Sequence, residues 1–446
     1  MPIAPQPKPP TKATLALALA AALLGWMFDG LEQGLFPLVG RPALMELVGE
    51  SAGANFKYWF GAIMAFYLVG AACGGLLFGW LGDRIGRVRA MVLSIATYAI
   101  FSGLCGFSTQ AWHLAVLRTL SSLGMGGEWA LGVALVMEIW PAKYRPMLAG
   151  VIGAAANVGI LLVGLMGLGL SQVIDDLGGV LQSVGMPQRW VEPLLANSGW
   201  RLMLFLGAGP AVLAFFIQIF VPESERWKHA AAAAPKNKIS DIFKGGLARV
   251  AILGALLGSV ALLGTWGSVM WVPTWANKMS QGLSAEAGNW AKTATSVTQI
   301  ALACGAIVGC ILSPLFAQWT SRRVGYFTLC LLSLVVCQSL FRLPMELGWG
   351  FFVWVFAAGL VTASFYGWLP LYLPELFPTR VRATGQGFAF NAGRILSAGG
   401  VLGSGGLLAA FDEDYAAVGA ITCLVYIVGM FLIWFCPETK GKPLPE

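Results

Sequence analysis

The chain has 446 residues, of which 57% are hydrophobic and only 11% are charged. Soluble domains carry about 25% charged residues, so the composition excludes ordinary soluble enzymes, disordered chains and nucleic-acid-binding modules. The formal net charge is +7, from 28 Lys and Arg against 21 Asp and Glu, and in a membrane protein the location of these charges matters more than their sum. The sequence therefore predicts an all-α integral membrane protein embedded in a lipid bilayer.

Twelve apolar runs are each long enough to cross a bilayer as a helix of about 20 residues. The first run follows Lys8 and Lys12 in the manner of a signal peptide, but it continues past the usual length of one, so we assign it as a membrane helix. In chain order the predicted spans cover residues 14–38, 58–80, 90–108, 114–138, 147–171, 200–221, 249–274, 293–317, 325–342, 348–373, 383–409 and 415–435.

Positive charges distinguish the two sets of loops. If the N-terminus is cytoplasmic, nineteen Lys and Arg residues lie in inner segments and seven in outer segments. Because cytoplasmic loops are enriched in Lys and Arg, we expect a multi-pass protein of the plasma (inner) membrane with both termini in the cytoplasm.

The two halves of the chain resemble each other at matched positions. Glu138-Ile-Trp-Pro-Ala-Lys-Tyr-Arg145 ends span four, and Glu375-Leu-Phe-Pro-Thr-Arg-Val-Arg382 ends span ten, 237 positions later. Gly70 and Gly74 in span two match Gly305 and Gly309 in span eight at an offset of 235, and the loops starting at Asp83 and Arg322 align at 239. These offsets predict a duplicated six-helix unit, with an N-terminal bundle at 1–221, a cytoplasmic linker at 222–248 and a C-terminal bundle at 249–446.

Several motifs resemble those of a known family. The segment 79–89, GWLGDRIGRVR, is similar to the loop signature of the major facilitator superfamily, and 118–126, RTLSSLGMG, to its motif in span four. Segments 222–227, 374–382 and 437–441 resemble the sugar-porter branch and its organic-acid:proton symporter relatives. The resemblance implies twelve transmembrane helices in two pseudo-symmetric six-helix bundles and transport by alternating access.

The sequence departs from the sugar porters in span seven. Residues 258–275 contain no Gln, where that branch usually carries a pair, and they contain Trp266 and Trp271. By contrast, Asp29-Gly-Leu-Glu32 resembles the acidic motif of aromatic-acid and metabolite symporters, and Gly126-Gly-Glu128 resembles span four of lactate- and sialate-type proton symporters. The resemblance therefore favours an acidic substrate over a sugar.

Five ionisable residues lie well inside predicted spans: Asp29, Glu32, Arg118, Glu128 and Arg394. Each costs at least about 2.5 kcal/mol at the centre of a membrane helix, so such residues normally face a protein interior or a wet cavity. Asp29 and Glu32 share one helix face and lie at a depth that permits pairing with Arg118, whereas Glu128 and Arg394 both lie near the midplane.

These depths suggest roles. We predict proton coupling by Asp29, Glu32 and Glu128 together with Arg118, and substrate binding by Arg394, because a guanidinium offers a two-pronged donor face to a carboxylate. We assign Asn391, Asn157, Trp266 and Trp271 to the same substrate site.

Static alternatives stay open for each of these side chains. The acids of span one could form a structural ion pair with Arg118, Arg394 could serve as the counter-ion of Glu128, and the two Trp residues could be packing residues.

Charges also cluster at the cytoplasmic ends of the spans. We predict that they close the inner gate through ion pairs without contacting substrate. These residues are Asp83, Arg84, Arg87, Glu138, Arg145, Glu375 and Arg382.

Together these features predict a monomeric secondary transporter that moves a small organic anion, such as a monocarboxylate, with a proton. Two alternatives remain: a proton-linked or facilitative sugar porter, and a transporter-like sensor or docking protein, which the short predicted tails disfavour. The only two His residues lie at span ends or in loops, and there is no phosphate loop or metal-ligand cluster. We therefore expect no enzymatic activity, no cofactor and no metal site.

Overall fold

The computed structural model describes residues 11–49, 53–233, 237–281, 289–411 and 414–446. Within these ranges all regular secondary structure is helical, as the composition predicts. The α-helices are α1 Lys12–Val48, α2 Gly53–Ile85, α3 Arg87–Cys105, α4 Ala111–Ile139, α5 Arg145–Ser183, α6 Gln188–Leu206, α7 Pro210–Phe220, α8 Glu225–Ala233, α9 Gly246–Gly267, α10 Val272–Gln281, α11 Asn289–Trp319, α12 Arg322–Arg342, α13 Trp349–Ala363, α14 Phe365–Tyr372, α15 Arg382–Ala410, α16 Tyr415–Thr422 and α17 Val425–Leu432.

Ten segments of the described chain are long and apolar enough to cross a membrane, and each coincides with a predicted span. The predicted span at 200–221 covers the end of α6 and all of α7, which are separated at Gly207–Gly209. The apolar stretch across this break, Gly199–Ala214, is shorter than the ten spanning segments. The predicted span at 383–409 lies in α15. The expected all-α membrane fold is confirmed.

Several helices differ in length from the predicted spans. Helix α1 continues to Val48, about ten residues beyond the predicted end, and α5 continues to Ser183. Hydropathy marks where a helix can lie in lipid, but it does not mark where the helix ends, because polar residues continue a helix readily in water.

The internal repeat is visible in the packing of the glycines. A Cβ atom at Gly74 would lie 1.8 Å from the carbonyl oxygen of Leu123 in α4, and one at Gly309 would lie 1.8 Å from that of Leu360 in α13. In both bundles, therefore, the second span contacts the fourth span backbone to backbone. Only glycine permits this approach, and small residues are the usual solution for close helix packing in membranes.

The two bundles meet along two seams. Helix α2 packs against α15 along one seam, and α5 packs against α11 and α14 along the other. The segment between the bundles is partly helical, with α8 and a 3₁₀-helix at Ile239–Phe243. We call the end of the molecule that carries this segment the linker face; both ends of the described chain also lie there, since Trp140 donates to the Leu15 carbonyl and Arg382 to that of Pro445.

Candidate functional site: a closed gate and a buried charge cluster

A buried network of ion pairs closes the linker face. Arg87, the first residue of α3, donates to Asp83 at 2.5 Å and to Glu138 at 2.9 Å. Arg382 of α15 donates to the same Glu138 oxygen at 3.0 Å, and none of the four side chains has exposed surface. Because Arg382 belongs to the C-terminal bundle and the other three to the N-terminal bundle, this network holds the bundles together.

Backbone groups complete the closure. The Asp83 carboxylate accepts hydrogen bonds from the backbone N–H groups of Ala383 at 3.2 Å and Thr384 at 2.7 Å, and from the Thr384 hydroxyl at 2.5 Å. Arg87 also donates to the carbonyl of Thr379 at 2.8 Å. The start of α15 is therefore attached directly to the end of α2.

The C-terminal bundle contains an equivalent pair. Arg322 donates to both carboxylate oxygens of Glu375, at 2.9 and 3.0 Å, and to the carbonyl of Ala317, just as Arg87 donates to Gly82. Arg322 was missing from the predicted gate. The glycine offset of 235 maps Arg87 onto Arg322 and would have found it, whereas the loop alignment at 239 is in the wrong register.

Two predicted gate residues lie outside the network. The Arg84 guanidinium stacks over the Trp80 ring at 5.1 Å, and Arg145 donates through Nε to the carbonyl of Met137 at 3.1 Å. Within the described residues neither arginine forms an ion pair.

A glutamate caps one helix in each bundle at the linker face. Glu223 accepts from the backbone N–H groups of Arg87 and Val88 at the start of α3, and Glu438 accepts from those of Arg322 and Arg323 at the start of α12. Carboxylates are favourable there because the first N–H groups of a helix lack partners and carry the positive end of its dipole.

The two caps differ electrostatically. Burial raises the pKa of Glu223, despite its backbone hydrogen bonds. Burial also acts to raise the pKa of Glu438, but hydrogen bonds from the backbone of Lys440, Arg323 and Arg322 outweigh it and hold that pKa below the ordinary value.

Deeper in the N-terminal bundle, Glu32 forms an ion pair with Arg118. The Glu32 carboxylate also accepts hydrogen bonds from the hydroxyls of Ser102 at 2.6 Å and Ser121 at 2.9 Å. The Arg118 guanidinium lies over the rings of Phe36 and Tyr67, at 5.3 and 4.7 Å. Glu32 thus has hydrogen-bond donors from two neighbouring helices.

Asp29, one turn away on the same helix, has a different environment. It is completely buried, and neither carboxylate oxygen has a hydrogen-bond partner within the described part of the chain. Its electrostatic neighbours are Arg394, which attracts it, and Glu32, which repels it. Glu128 is 1% exposed, its two carboxylate oxygens likewise lack partners, and its charged neighbour is Asp29.

Arg394 is the third charged residue of this group. We call Asp29, Glu128 and Arg394 the central charge cluster. The arginine is 3% exposed and forms no ion pair within 4 Å among the described residues. Its opposite charge is Asp29 rather than Glu128, although the helix depths matched Arg394 to Glu128. Within the described residues, therefore, Asp29 and Glu128 have no hydrogen-bond partner and Arg394 has no ion pair.

Four aromatic residues form a layer beside the central charge cluster. The rings of Trp129 and Phe390 stack with centroids 4.1 Å apart and an angle of 16° between planes. Trp26 contacts both, at 6.3 and 6.1 Å, and Tyr366 lies edge-on to Phe390 at 6.2 Å. Within the described residues the indole N–H groups of Trp26 and Trp129 are buried without acceptors.

The cluster is closed off from both ends of the molecule. The gate network seals the linker face, and on the opposite side an apolar cluster joins Ala65 and Leu68 of α2 to Trp266 of α9 and Ala398 of α15. Leu68 lies about 25 Å from the linker end of α2 at 1.5 Å per residue. Asp29, Glu128 and Arg394 are at most 3% exposed, so none of these charged groups reaches a surface of the described structure.

Comparison with known proteins identifies the family. A sequence model described as the Major Facilitator Superfamily matches residues 15–401. The chain belongs to the major facilitator superfamily.

Two relatives and one solved structure illustrate the similarity. The chain is 29% identical to a probable 4-methylmuconolactone transporter of Cupriavidus pinatubonensis, over 94% of this chain and 90% of the relative. It is 28% identical to a cis,cis-muconate transport protein of Acinetobacter baylyi, over 75% of each chain. The structure of the proton:xylose symporter XylE superposes with a TM-score of 0.77, covering 96% of this chain and 97% of XylE, at 18% identity.

The chain is accordingly a multi-pass membrane transporter of a small molecule and not an enzyme. The likeness to XylE shows the shared fold alone, because the identity is low. Among the described residues of this superfamily transporter, no group of three or more His, Cys, Asp or Glu side chains could hold a metal ion.

Two predicted substrate residues of the transporter are engaged in helix packing. The Asn391 amide donates to the carbonyls of Gly126 at 3.2 Å and Gly387 at 2.9 Å, so it joins α15 to α4, and its buried oxygen lacks a partner within the described chain. Asn157 makes long contacts, at 3.5 Å to the Gly153 carbonyl and 3.6 Å to the Cys310 sulfur.

Both predicted Trp residues pack against apolar or aromatic side chains. Trp266 belongs to the apolar cluster opposite the linker face, and Trp271 lies beside Tyr415 with ring centroids 6.3 Å apart. Their positions fit the packing interpretation. The aromatic residues that do lie beside the charges escaped the sequence reasoning, although Trp26 precedes Asp29 by three positions, Trp129 follows Glu128, and Phe390 precedes Arg394 by four.

Proposed function

We propose that this transporter moves a flat, unsaturated organic carboxylate together with a proton, by alternating access between the two bundles. The observation that carries the proposal is the central charge cluster, in which Arg394 lies buried without an ion pair beside a stack of aromatic rings. A guanidinium binds a carboxylate with two parallel hydrogen bonds, and aromatic faces suit a conjugated, planar body.

The charges supply a reason for coupling to a proton. Asp29 and Glu128 are like charges in a medium where unpaired charges are costly, and of the two Asp29 is the one that Arg394 attracts. When a substrate carboxylate engages Arg394, Asp29 loses its attractive neighbour, and taking up a proton removes the resulting excess negative charge. Asp29 and Glu128 are the proposed proton-loading groups, while the Glu32–Arg118 ion pair holds α1 to α4.

The relatives support an acidic, unsaturated substrate. The two relatives reported above are named for cis,cis-muconate, a conjugated diene carrying carboxylates, and for a muconolactone. We also propose that the linker face is cytoplasmic, with both termini there, in the plasma (inner) membrane, since most Lys and Arg residues outside the spans belong to this side. The transporter is proposed to work as a monomer with residues 222–248 as its linker.

The test is uptake by purified transporter in proteoliposomes with an inward proton gradient. A panel of cis,cis-muconate, benzoate, lactate and xylose separates the candidates. We expect the gradient to stimulate uptake of the conjugated acids most strongly. Gradient-driven uptake of xylose alone would support the sugar-porter alternative, and no stimulated uptake of any carboxylate would reject the symport proposal.

The substitution Arg394→Lys tests whether Arg394 binds the substrate carboxylate. Losing one of two charge-assisted hydrogen bonds, worth about 1.5–3 kcal/mol, should lower carboxylate uptake at limiting concentration by about tenfold or more. Arg249→Lys is the matched control, because Arg249 is exposed at the start of α9 and makes one long backbone contact. Unchanged uptake by the Arg394 variant would remove this residue from the substrate site.

A further inference from the structure

A cavity lies at the linker face, outside the central charge cluster. Its volume is about 430 Å³. It opens between the end of α2 and the segment that follows α8, and its walls are formed by Trp80, Arg84, Asn237, Lys238 and Ile239. The gate network and the central site use none of these side chains.

The polar groups of this cavity are donors and cations. Arg84 and Lys238 are exposed and have no ion-pair partner within the described residues. The Asn237 side chain is 5% exposed, and its amide nitrogen is buried without an acceptor in that part of the chain. Two acids near these residues are already engaged: Asp241 accepts from the Lys244 ammonium at 2.7 Å and the Lys238 backbone N–H at 2.8 Å, and Asp83 belongs to the gate network.

Two contacts hold these groups in place. The Arg84 guanidinium stacks over Trp80, and the Trp80 indole donates to the Asn237 carbonyl at 3.3 Å. Trp80 lies near the linker end of the membrane span Tyr58–Ile85, and Trp favours the boundary between membrane and water. Arg84 and Asn237 are therefore held at the linker end of a membrane-spanning segment, where we expect the lipid headgroups to lie.

We propose that this cavity binds the phosphate headgroup of an anionic phospholipid. Arg84 would grip phosphate oxygens with its planar fork, Lys238 would add a second positive charge, and the Asn237 amide would donate the hydrogen bond that it lacks within the chain. Basic residues near a membrane surface attract anionic lipids by about 1 kcal/mol each, or about fivefold in binding.

The cavity also lies beside a seam between the bundles. Its α2 wall belongs to the N-terminal bundle, whereas Phe243 in the opposite segment packs edge-on against Phe388 of α15 at 5.0 Å. A headgroup that contacts both walls bridges α2 and the segment attached to α15. Because a ligand stabilises the form that it binds better, the lipid would favour the form with a closed linker face.

Native mass spectrometry of the full-length transporter in detergent micelles tests this site. The probes are phosphatidylglycerol, phosphatidylcholine and glycerol phosphate, each titrated against the wild type, the double variant Arg84→Gln/Lys238→Gln and the control Lys442→Gln. Lys442 is exposed on the same face and lies outside the cavity lining. Melting temperatures of all variants verify that they remain folded.

We expect the wild type to prefer phosphatidylglycerol over phosphatidylcholine, and the double variant to bind it about 25-fold more weakly at about fivefold per charge. The control should bind like the wild type. Competition by glycerol phosphate would support the phosphate site and show that a soluble ester also occupies it. Equal binding of phosphatidylglycerol to the wild type and the double variant, or equal losses in the control, would overturn the proposal.

Discussion

The gate network and the central charge cluster are equally buried but differ in their pairing. At the linker face each carboxylate of the network contacts an arginine, and the pair between Glu138 and Arg382 joins the two bundles. In the centre, Asp29 and Glu128 have no hydrogen-bond partners within the described chain. Burial alone therefore does not reveal the role of a membrane-embedded charge. Paired charges hold a conformation, whereas unpaired ones are available to a proton or a ligand.

The largest expected effect comes from breaking the gate. Arg87→Ala leaves Asp83 without its arginine and Glu138 with only Arg382, so the free energy of unfolding should fall by about 3–5 kcal/mol, as for other buried ion pairs that lose one partner. Denaturant titration in mixed micelles measures it. The control is Lys228→Ala, which breaks an exposed pair with Glu225 and should cost at most about 1 kcal/mol. Equal losses would contradict the contrast between these two environments.

The second prediction separates the two acids of α1 by stability. Glu32→Gln removes the charge that pairs with Arg118 while keeping the side-chain shape, and it leaves the guanidinium buried and uncompensated. We expect a loss of about 3 kcal/mol in unfolding free energy. Asp29→Asn loses no hydrogen bond and no ion pair within 4 Å, only the longer-range attraction of Arg394, so it should cost clearly less. A larger loss for the Asp29 variant would reverse the assignment of the static pair.

Transport should show the opposite order. Asp29→Asn removes a proposed proton-loading group, so uptake driven by a proton gradient should fall by about tenfold or more. A tenfold lower rate corresponds to a barrier about 1.4 kcal/mol higher. Exchange of internal for external substrate, which needs no net proton movement, should persist. Retention of gradient-driven uptake by this variant would exclude Asp29 from coupling.

The smallest effect distinguishes the two capping glutamates. The lowered pKa of Glu438 means that its contribution to stability is present above about pH 4.3, the ordinary glutamate pKa, and is lost as the pH falls through the lowered value. The pKa of Glu223 is raised, so its contribution is present at low pH and lost as the pH rises through the raised value.

Melting temperatures of the two Gln variants test this difference. At pH 7, Glu438→Gln should cost about 0.5–1 kcal/mol, a modest amount because solvent screens this partly exposed group. Glu223→Gln should cost less. The loss of stability in the Glu438→Gln variant, relative to the wild type, should disappear as the pH falls below about 4. Deficits that are equal and independent of pH would show that the two caps are electrostatically equivalent.

Sequence reasoning succeeded where the signal is local. The twelve apolar runs, the duplicated motifs around Glu138 and Glu375, and the five embedded charges follow from hydropathy and spacing. It failed at Arg322 because the loop residues suggested an offset of 239 between the two halves, whereas the glycines gave 235. Only the contacts of Arg322 with Ala317 and Glu375 decide between the two alignments.

The amino-acid sequence was enough to predict a duplicated, all-helical membrane transporter with embedded acids in one half and a lone embedded arginine in the other. It could not determine which acid is paired, because Asp29 and Glu32 lie on one face of one helix at nearly equal depth. The tertiary structure decided that question. Ser102 and Arg118 arrive at Glu32 from α3 and α4, whereas Arg394 approaches Asp29 from α15 in the other bundle. Helix periodicity fixes which side chains share a face, but only packing between distant helices fixes what they meet.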